Sequence, residues 1–245
     1  MANTVAQFKL DYQIVDEGAS AAALIAAAGF SSRMKGINKL FVPLLGIPVL
    51  ARTLLAFEKS ADIDRIIISA AKESIADVEK LCSEYSISKL TDIVPGGGTR
   101  MESVLAAAEA AKDSELFAIH DGARPLVSTE LIARVTAAAR IYGAAAPGVP
   151  LKDTVKRING AHFAVETPNR EEYTAVQTPQ VIKAKLYLPL LKKACSAGAR
   201  PTDDCSLIEE AGGEVKIVEG DYCNIKITTP EDIAAAEALL LRKAE

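Results

Sequence analysis

Two basic side chains stand close together in a loop near the start of the chain. An apolar run over residues 21–28 ends at Gly29, and Arg33 and Lys39 follow it. Backbone N–H groups of such a small-residue loop can hold phosphate oxygens, and two cations can neutralise a triphosphate. The loop matches neither the G-x-G-x-x-G fingerprint nor the P-loop pattern, which disfavours dinucleotide binding and a P-loop kinase or ATPase. A solvated loop with surface cations is the alternative interpretation.

A second candidate region is a run of three glycines at residues 96–98, followed by Ser103 in the first turn of a predicted helix. Glycine lets the backbone approach a planar base or a sugar closely, and a serine hydroxyl can form a hydrogen bond with either. This segment therefore favours nucleoside binding. A plain strand-to-helix turn is the other interpretation.

Charged residues follow two more apolar segments. Asp121 comes directly after the run 115–120, and an acid at the carboxyl end of a strand can ligate Mg²⁺ or accept a hydrogen bond from a substrate hydroxyl. We interpret His120 as a packing or positioning residue. Lys226 interrupts the apolar, strand-like segment 223–228, where a lone cation needs an anion such as a ligand phosphate.

The elements that must position these residues alternate along the chain. Apolar runs predict strands, and amphipathic or Ala-rich stretches between them predict helices. Predicted strands cover 21–28, 65–70, 91–94, 115–120, 144–149 and 214–218, and predicted helices cover 48–60, 71–85, 99–112, 131–142 and 183–195, with two more after 203 and 229. This order predicts an α/β fold with a doubly wound, mostly parallel sheet. Ligands of such sheets bind outside the carboxyl ends of the strands.

One stretch breaks this alternation. Residues 151–180 have few apolar side chains and contain Asn159-Gly160, a hairpin-turn dipeptide. We predict a protruding β-arm that packs against a surface outside the segment, and a second copy of the chain is the natural candidate for that surface. The arm lies within one domain at 20–245, and residues 1–19 form an N-terminal extension.

Composition limits the classes of function. The chain has 245 residues, a net charge of −4 and no basic run, so a nucleic-acid partner is disfavoured. No apolar stretch is long enough to span a membrane, and the four cysteines are scattered, as in a reduced cytoplasmic protein. The two histidines, His120 and His162, are too far apart for an H-x-G-H motif. Transfer by positioning and charge neutralisation needs no such nucleophile.

Taken together, the motifs resemble one family, 2-C-methyl-D-erythritol 4-phosphate cytidylyltransferase, with its Rossmann-like nucleotidyltransferase fold. The similarity runs from about residue 21 to residue 240. The segments that carry it are Ala27–Phe30 with Arg33, Met34 and Lys39; Gly97–Arg100 with Ser103 and Val104; His120–Pro125; Asp153-Thr154; Gln177–Gln180; Thr202–Asp204; and Asn224–Thr228. Each segment is weakly specific alone, but their order on one predicted fold is specific.

The resemblance implies that CTP and methylerythritol phosphate are the substrates. It implies that Arg33, Lys39 and Lys226 are catalytic, the first two by holding the CTP phosphates and stabilising charge at the α-phosphorus. The residues it implies for CTP binding are Ala27, Ala28, Gly29, Gly97, Gly98 and Ser103.

The same resemblance implies a site for the second substrate and a homodimer. Asp121 would bind the methylerythritol phosphate hydroxyls and the Mg²⁺ ion. Arg124, with Thr154 and Arg170 of the β-arm, would contact that substrate across a dimer interface. We thus expect direct in-line attack of the 4-phosphate oxygen on the α-phosphorus of CTP.

Two residues depart from the family pattern, and two other functions stay open. Asn38 stands where a proline usually precedes the loop lysine, and Cys223 replaces an aspartate, which bears on metal affinity. Ribitol-5-phosphate cytidylyltransferase shares the fold and most motifs, although Ala123 and the pattern Asp204-Cys205-Ser206 favour methylerythritol phosphate. A catalytically inactive nucleotide-binding or scaffold subunit is disfavoured because Arg33, Lys39 and Asp121 are all present.

Overall fold

A computed structural model describes residues 20–29 and 38–244. An eight-stranded sheet forms the centre of this part of the chain. In chain order its strands are β1 (Ala21–Ala27), β4 (Arg65–Ala70), β5 (Leu90–Pro95), β6 (Leu116–Asp121), β7 (Ala144–Pro150), β10 (Thr174–Val176), β11 (Gln180–Lys183) and β12 (Lys216–Glu219). Two short hairpins make up the remaining strands, β2 (Pro43–Leu44) with β3 (Ile47–Pro48) and β8 (Arg157–Ile158) with β9 (Ala164–Glu166).

The sheet is mostly parallel, as the alternation of apolar runs and helical patterns predicts. Its spatial order is β10-β7-β11-β6-β1-β4-β5, and β12 pairs with β7. Neighbours β6, β1, β4 and β5 are parallel, and so are β7 and β12. Strands β10 and β11 run antiparallel to their partners. The carboxyl ends of β1, β4, β5 and β6 therefore meet at one edge.

Helices cover both faces of the sheet. They are α1 (Val49–Lys59), α2 (Ile75–Glu84), α3 (Arg100–Ala110), α4 (Thr129–Tyr142), α5 (Ala184–Ser196), α6 (Ser206–Glu210) and α7 (Pro230–Ala244). Strand β1 shows why two layers form. Its odd-numbered residues, among them Ile25, pack in the cluster that contains Leu50 and Phe57 of α1, whereas Ala22 and Leu24 pack with Val104 and Tyr187 on the other face. Side chains alternate across a strand, so a wholly apolar run must be covered on both sides.

The helix that follows β5 begins at a strong cap. Thr99 accepts a hydrogen bond from the backbone N–H of Glu102, and the Glu102 carboxylate accepts one from the N–H of Thr99. This reciprocal capping box satisfies two N–H groups that a helix start leaves unpaired. It fixes the direction in which the chain leaves the glycine run at 96–98.

Three local predictions were wrong. The predicted arm at 151–180 ends earlier than expected, because β10 and the first residue of β11 belong to the central sheet. Strand β11 was not predicted, because it is only four residues long and begins with the polar Gln180. It is stable because it inserts between β6 and β7 and hydrogen-bonds to both. The segment 223–228 was predicted to be strand-like but has no regular secondary structure. It is held instead by single hydrogen bonds, such as that from the Ile227 N–H to the carbonyl of Ala123.

The hairpin predicted at Asn159-Gly160 is present, with β8 before the turn and β9 after it. The Asn159 side chain closes the loop by accepting hydrogen bonds from the N–H groups of Ala161 and Phe163. Residues 152–165 are almost all exposed in the single chain. None of the helices in the described ranges has the length and apolar character needed to cross a membrane.

Candidate active site

A cavity of about 530 Å³ opens at the edge where the carboxyl ends of β1, β4, β5 and β6 meet. Loops after all four strands contribute to its walls. Its lining residues are Ala26, Ala27, Ala28, Gly29, Lys39, Leu40, Ala71, Lys72, Glu73, Gly96, Gly97, Gly98, Thr99, Arg100, Ser103, Asp121, Ala123 and Lys226. Open parallel sheets bind their ligands at this position.

Most of the residues singled out in the sequence meet in this cavity. Those that line it are Ala27, Ala28, Gly29, Lys39, Gly97, Gly98, Ser103, Asp121 and Lys226. Arg124, Thr154 and Arg170 do not line it, and Arg33 lies outside the described residues. The catalytic role of Arg33 therefore stays a prediction.

The glycine run forms the wall of the cavity between β5 and α3, and its lack of side chains is a steric requirement. A Cβ atom at Gly96 would lie 2.2 Å from that of Ala28, and one at Gly97 would lie 2.3 Å from that of Glu102. Ser103 is 3% exposed; its Oγ accepts a hydrogen bond from the N–H of Gly97 and donates one to the carbonyl of Thr99. Its hydroxyl thus shapes the turn from within, rather than standing free for a base.

Asp121 is the centre of charge in the cavity. Its Oδ1 lies 3.2 Å from Nε of Arg100, and its Oδ2 lies 2.8 Å from Nζ of Lys226 and 3.6 Å from Nε of Arg124. Burial by itself raises the pKa of this carboxyl group, but Arg100 and Lys226, followed by Arg124, lower it well below its ordinary value. Asp121 is therefore ionised at neutral pH, and three cations converge on it.

Lys226 reaches the cavity in a way that the sequence pattern did not predict. The prediction placed it on a strand with a ligand phosphate as its anion, but it stands on the irregular segment 223–228 with Asp121 as its anion. Its side chain is 43% exposed, so the amino group contacts both the carboxylate and the open cavity. A phosphate can thus approach Lys226 without displacing the Asp121 contact.

A buried network behind the cavity was missed in the sequence. Nη2 of Arg100 lies 2.8 Å from Oδ2 of Asp204, which is 3% exposed. Oδ1 of Asp204 accepts a hydrogen bond from the hydroxyl of Tyr187 at 2.6 Å, and its backbone N–H donates to Oε1 of Gln180. Burial lowers the pKa of Arg100, but Asp204 and Asp121 together raise it above its ordinary value, so its charge is permanent. The adjacent acids Asp203 and Asp204, just before a short helix, were the sequence signal for this network.

His120 is a positioning residue, as its sequence context predicts. It is fully buried against the ring of Phe57, with the ring centroids 4.9 Å apart. Nε2 lies 3.2 Å from the carbonyl of Arg124, so it carries the proton, and Nδ1 accepts from the hydroxyl of Thr178 at 3.1 Å. That hydroxyl in turn accepts a hydrogen bond from the N–H of Asp121. Burial lowers the pKa of His120 to about 3, so the ring is neutral and holds the turn at Asp121.

Lys39 lies in a short 3₁₀ helix, Lys39–Phe41, close to residue 38, where the described part of the chain resumes. Its Nζ donates a hydrogen bond to the carbonyl of Ile227 at 2.7 Å, which links this loop to the segment that carries Lys226. Asn38, which replaces the family's usual proline, caps the turn: its Oδ1 accepts a hydrogen bond from the N–H of Leu40. A side-chain cap thus supplies local order at Lys39 where proline would have restricted the backbone.

The cavity contains little that could hold a metal by protein ligands alone. Within residues 20–29 and 38–244, no group of three or more His, Cys, Asp or Glu side chains could hold an ion. Asp121 and Glu73 are the carboxylates in its lining. Mg²⁺ typically takes one or two carboxylates and completes its shell with water and substrate phosphates. This donor set fits a magnesium ion that enters with a nucleotide. Cys223 is directed elsewhere, since its sulfur accepts a hydrogen bond from Arg242.

The arm residues lie apart from this cavity within one chain. Arg170 donates a hydrogen bond to the carbonyl of Lys152, and Thr154 is exposed. Arg124 is nearer: its Nη1 donates to the carbonyl of Asn224 at 2.6 Å, and its Nε faces Asp121. Of the four predicted contacts to the second substrate, Asp121 lines the cavity and Arg124 is in direct contact with Asp121.

The sheet, the cavity at its carboxyl edge and the cations around Asp121 are those of a nucleotidyltransferase. Comparison with known sequences gives the family. The profile of 2-C-methyl-D-erythritol 4-phosphate cytidylyltransferase matches residues 21–242, and the chain belongs to this family. The proteins of that name from Clostridium novyi (strain NT) and Caldanaerobacter subterraneus subsp. tengcongensis are 44% and 45% identical over 220 and 224 residues. These alignments cover 89% and 90% of this chain and 95% and 98% of those proteins.

Solved structures agree with the family membership. The 4-diphosphocytidyl-2C-methyl-D-erythritol synthase of Anaerococcus prevotii DSM 20548 superposes with a TM-score of 0.84 at 34% identity, covering 93% of this chain and 99% of that one. The 2-C-methyl-D-erythritol 4-phosphate cytidylyltransferase of Thermus thermophilus gives a TM-score of 0.74 at 33% identity, covering 89% and 98%. The α/β fold predicted from the sequence is thereby confirmed.

Proposed function

We propose that the enzyme joins CTP and 2-C-methyl-D-erythritol 4-phosphate to give 4-diphosphocytidyl-2-C-methyl-D-erythritol and pyrophosphate. The observation that carries this proposal is the convergence of Lys39, Lys226 and Arg100 on the cavity beside the glycine turn. Such a cavity combines a close backbone approach, suited to a nucleoside, with cations suited to phosphates. The activity named for the relatives, at 44% and 45% identity over most of their length, supports the same reaction.

The reaction is a direct displacement at phosphorus. A 4-phosphate oxygen of the acceptor attacks the α-phosphorus of CTP, a new P–O bond forms, and the bond to the β-phosphate oxygen breaks as pyrophosphate leaves. Negative charge spreads over the α-phosphoryl oxygens, where fixed cations stabilise it because they need no reorganisation. We assign this role to Arg33 and Lys39, which follow β1 in the sequence. Lys226, held by Asp121 across the cavity, supports the triphosphate and the attacking group.

The remaining groups bind and orient the substrates. We assign CTP to the wall of small residues, which comprises Ala27, Ala28, Gly29, Gly97, Gly98 and Ser103. Asp121 accepts hydrogen bonds from the methylerythritol phosphate hydroxyls and supplies the protein oxygen for Mg²⁺. When bound, that ion neutralises charge on the phosphates.

We also propose that the working enzyme is a homodimer formed through the arm at residues 151–180. Large apolar side chains are exposed along it in the single chain, among them Ile158, Phe163, Val165, Tyr173 and Val176. An isolated two-stranded hairpin such as β8-β9 is marginally stable, so it gains from packing on a second body. In that dimer Thr154 and Arg170 of one subunit would act with Arg124 at the partner's site.

The proposed location is the cytoplasm. Each of the four cysteines, Cys82, Cys195, Cys205 and Cys223, carries a free thiol. Free thiols are typical of reducing compartments.

The test is pyrophosphate release on mixing the purified protein with CTP, Mg²⁺ and one acceptor at a time. Methylerythritol phosphate should support turnover, with a product whose mass equals the acceptor plus a cytidylyl group. Turnover with ribitol 5-phosphate alone would change the substrate assignment. If neither acceptor supports pyrophosphate release while calorimetry shows CTP binding, the result would favour a catalytically inactive nucleotide-binding subunit. The Lys39→Ala variant serves as the negative control for turnover.

A further inference from the structure

The guanidinium of Arg100 is held between two carboxylates that come from different elements. Its Nε contacts Oδ1 of Asp121 at 3.2 Å, and its Nη2 contacts Oδ2 of Asp204 at 2.8 Å. An arginine with only one carboxylate nearby prefers to form two parallel hydrogen bonds with it. Arg100 instead makes one contact with each acid, which leaves Oδ2 of Asp121 to Lys226 at 2.8 Å, with Nε of Arg124 farther away at 3.6 Å.

The position of Asp204 is itself determined by buried groups. Its second oxygen accepts a hydrogen bond from the hydroxyl of Tyr187, a side chain with 0% exposure. Its backbone N–H, like that of Cys205, donates to Oε1 of Gln180, which stands at the start of β11 between β6 and β7. Asp204 therefore cannot follow Arg100 if the guanidinium moves toward Asp121.

We propose that Asp204 is a positioning residue, oriented by Tyr187, that keeps Arg100 off the second oxygen of Asp121 and so reserves this oxygen for Lys226. Without the Asp204 charge, Asp121 is the remaining carboxylate in contact with Arg100 among the described residues. Arg100 then turns to bind both oxygens of Asp121, and Lys226 loses its anchor. This inference rests on the proposed function for the catalytic role of Lys226.

The first test is structural and does not depend on activity. Crystal structures of the wild type and of Asp204→Asn, grown without nucleotide in one crystal form, give the positions of Arg100 and Lys226. We expect Arg100 to contact both oxygens of Asp121 in the variant and Lys226 Nζ to move out of hydrogen-bond distance. An unchanged contact between Lys226 and Asp121 in the variant would overturn the proposal.

The second test is kinetic and uses coupling between residues. Displacing a reacting group by about 1 Å can lower turnover on the order of 10²-fold, so Asp204→Asn should lower kcat by about that factor. Tyr187→Phe removes a single hydrogen bond to Asp204 and should lower kcat about tenfold. In a chain that carries Arg100→Gln, adding Asp204→Asn should change kcat less than twofold, because no guanidinium is left to move. Independent, additive losses would contradict the proposal.

Controls separate positioning from simple loss of stability. Asp62→Asn removes another ion pair, that with Arg140 at 3.1 Å, whose residues do not line the cavity, and should leave kcat unchanged. Thermal unfolding of every variant shows which preparations are folded, and Tyr187→Phe keeps the proposal testable if Asp204→Asn fails to fold. Absence of wild-type turnover would refute the proposed function, whereas the crystallographic comparison would still decide the role of Asp204.

Discussion

Oδ2 of Asp121 lies 2.8 Å from Nζ of Lys226, and this contact joins the end of a central strand to an irregular segment near the end of the chain. Because three cations surround Asp121, its carboxylate stays ionised, and the amino group of Lys226 is held in the cavity. This contact thus holds the positive charge of Lys226 in the cavity before any substrate binds. Preorganisation of this kind is what makes fixed cations effective in the transition state.

Replacing Lys39 by alanine should abolish most of the turnover. The loss of one preorganised donor at developing charge is worth roughly 3–4 kcal/mol, which corresponds to a fall in kcat of about 10²–10³-fold. The hydrogen bond to the carbonyl of Ile227 is lost as well, so unfolding should become easier by about 1 kcal/mol. Steady-state pyrophosphate release and thermal unfolding measure the two effects. Lys80→Ala on α2 is the control, and a near-normal kcat for Lys39→Ala would refute its role.

Ser103→Ala should weaken CTP binding more than it slows the chemical step. The hydroxyl supports the glycine turn by accepting a hydrogen bond from the N–H of Gly97 and by donating one to the carbonyl of Thr99. Its removal leaves the Gly97 N–H without this acceptor, whereas the Thr99 carbonyl keeps the hydrogen bond from the backbone N–H of Ser103. We expect the KM for CTP to rise about tenfold, with kcat changed by less than about threefold, since a looser turn affects the bound nucleotide in ground and transition states alike. Ser196→Ala, at an exposed position on α5, should leave both constants unchanged. A kcat loss with unaltered KM would contradict this interpretation of the turn.

Acid should destabilise the protein through His120 in a defined pH window. Burial lowers the pKa of His120 to about 3 in the folded state, whereas the unfolded side chain has a value of 6.5. The unfolded state therefore binds one more proton between these values. The stability contributed by the neutral ring is complete above pH 6.5 and falls by about 1.4 kcal/mol per pH unit below it. Urea unfolding at pH 4.5 to 7 measures this slope.

A His120→Gln variant gives the comparison for that slope. It should be less stable at pH 7 but should lose stability more slowly as the pH falls from 6.5 to 4.5. His162→Gln, at an exposed position of the arm, should keep the wild-type slope. Equal slopes for wild type and His120→Gln would show that the imidazole does not titrate on unfolding.

Phe163→Glu should weaken the proposed dimer. Phe163 is 70% exposed in the single chain, so its burial at a partner surface would stabilise the dimer by about 1.5–3 kcal/mol for each copy. Sedimentation at several concentrations should show a higher dissociation constant. The KM for methylerythritol phosphate should rise as well, because Thr154 and Arg170 act from the partner's arm. Leu241→Glu, on α7 and 58% exposed, is the control. A monomeric, fully active wild type would refute the role of the arm.

Local patterns predict much of this fold. Strand β4 matches its predicted range, and α1, α3 and α5 agree with their predicted ranges to within about two residues. A strand buried on both faces must be apolar throughout, and a helix start must satisfy its own N–H groups, so both are visible in a single segment. The site residues after β1, β5 and β6 were predicted because parallel strands bring their carboxyl ends to one edge.

Other features depended on partners far away in the chain. Strand β11 exists because β6 and β7 offer it hydrogen bonds on both sides, which four residues beginning at Gln180 do not reveal. The segment of Lys226 was predicted as a strand from its apolar neighbours, yet it joins none of the sheets in the described structure.

By itself the sequence determined the α/β class, the family and nine of the eighteen residues that line the cavity, because these depend on periodicity and on motifs within single segments. Only the tertiary structure determined which carboxylates pair with which cations. Arg100 and Asp204 are 104 positions apart, and although the adjacent acids at 203 and 204 are visible in the sequence, neither segment indicates which cation they pair with. Their contact arises because α3 and the turn before α6 meet behind one sheet edge, where burial makes an unpaired charge too unfavourable to persist.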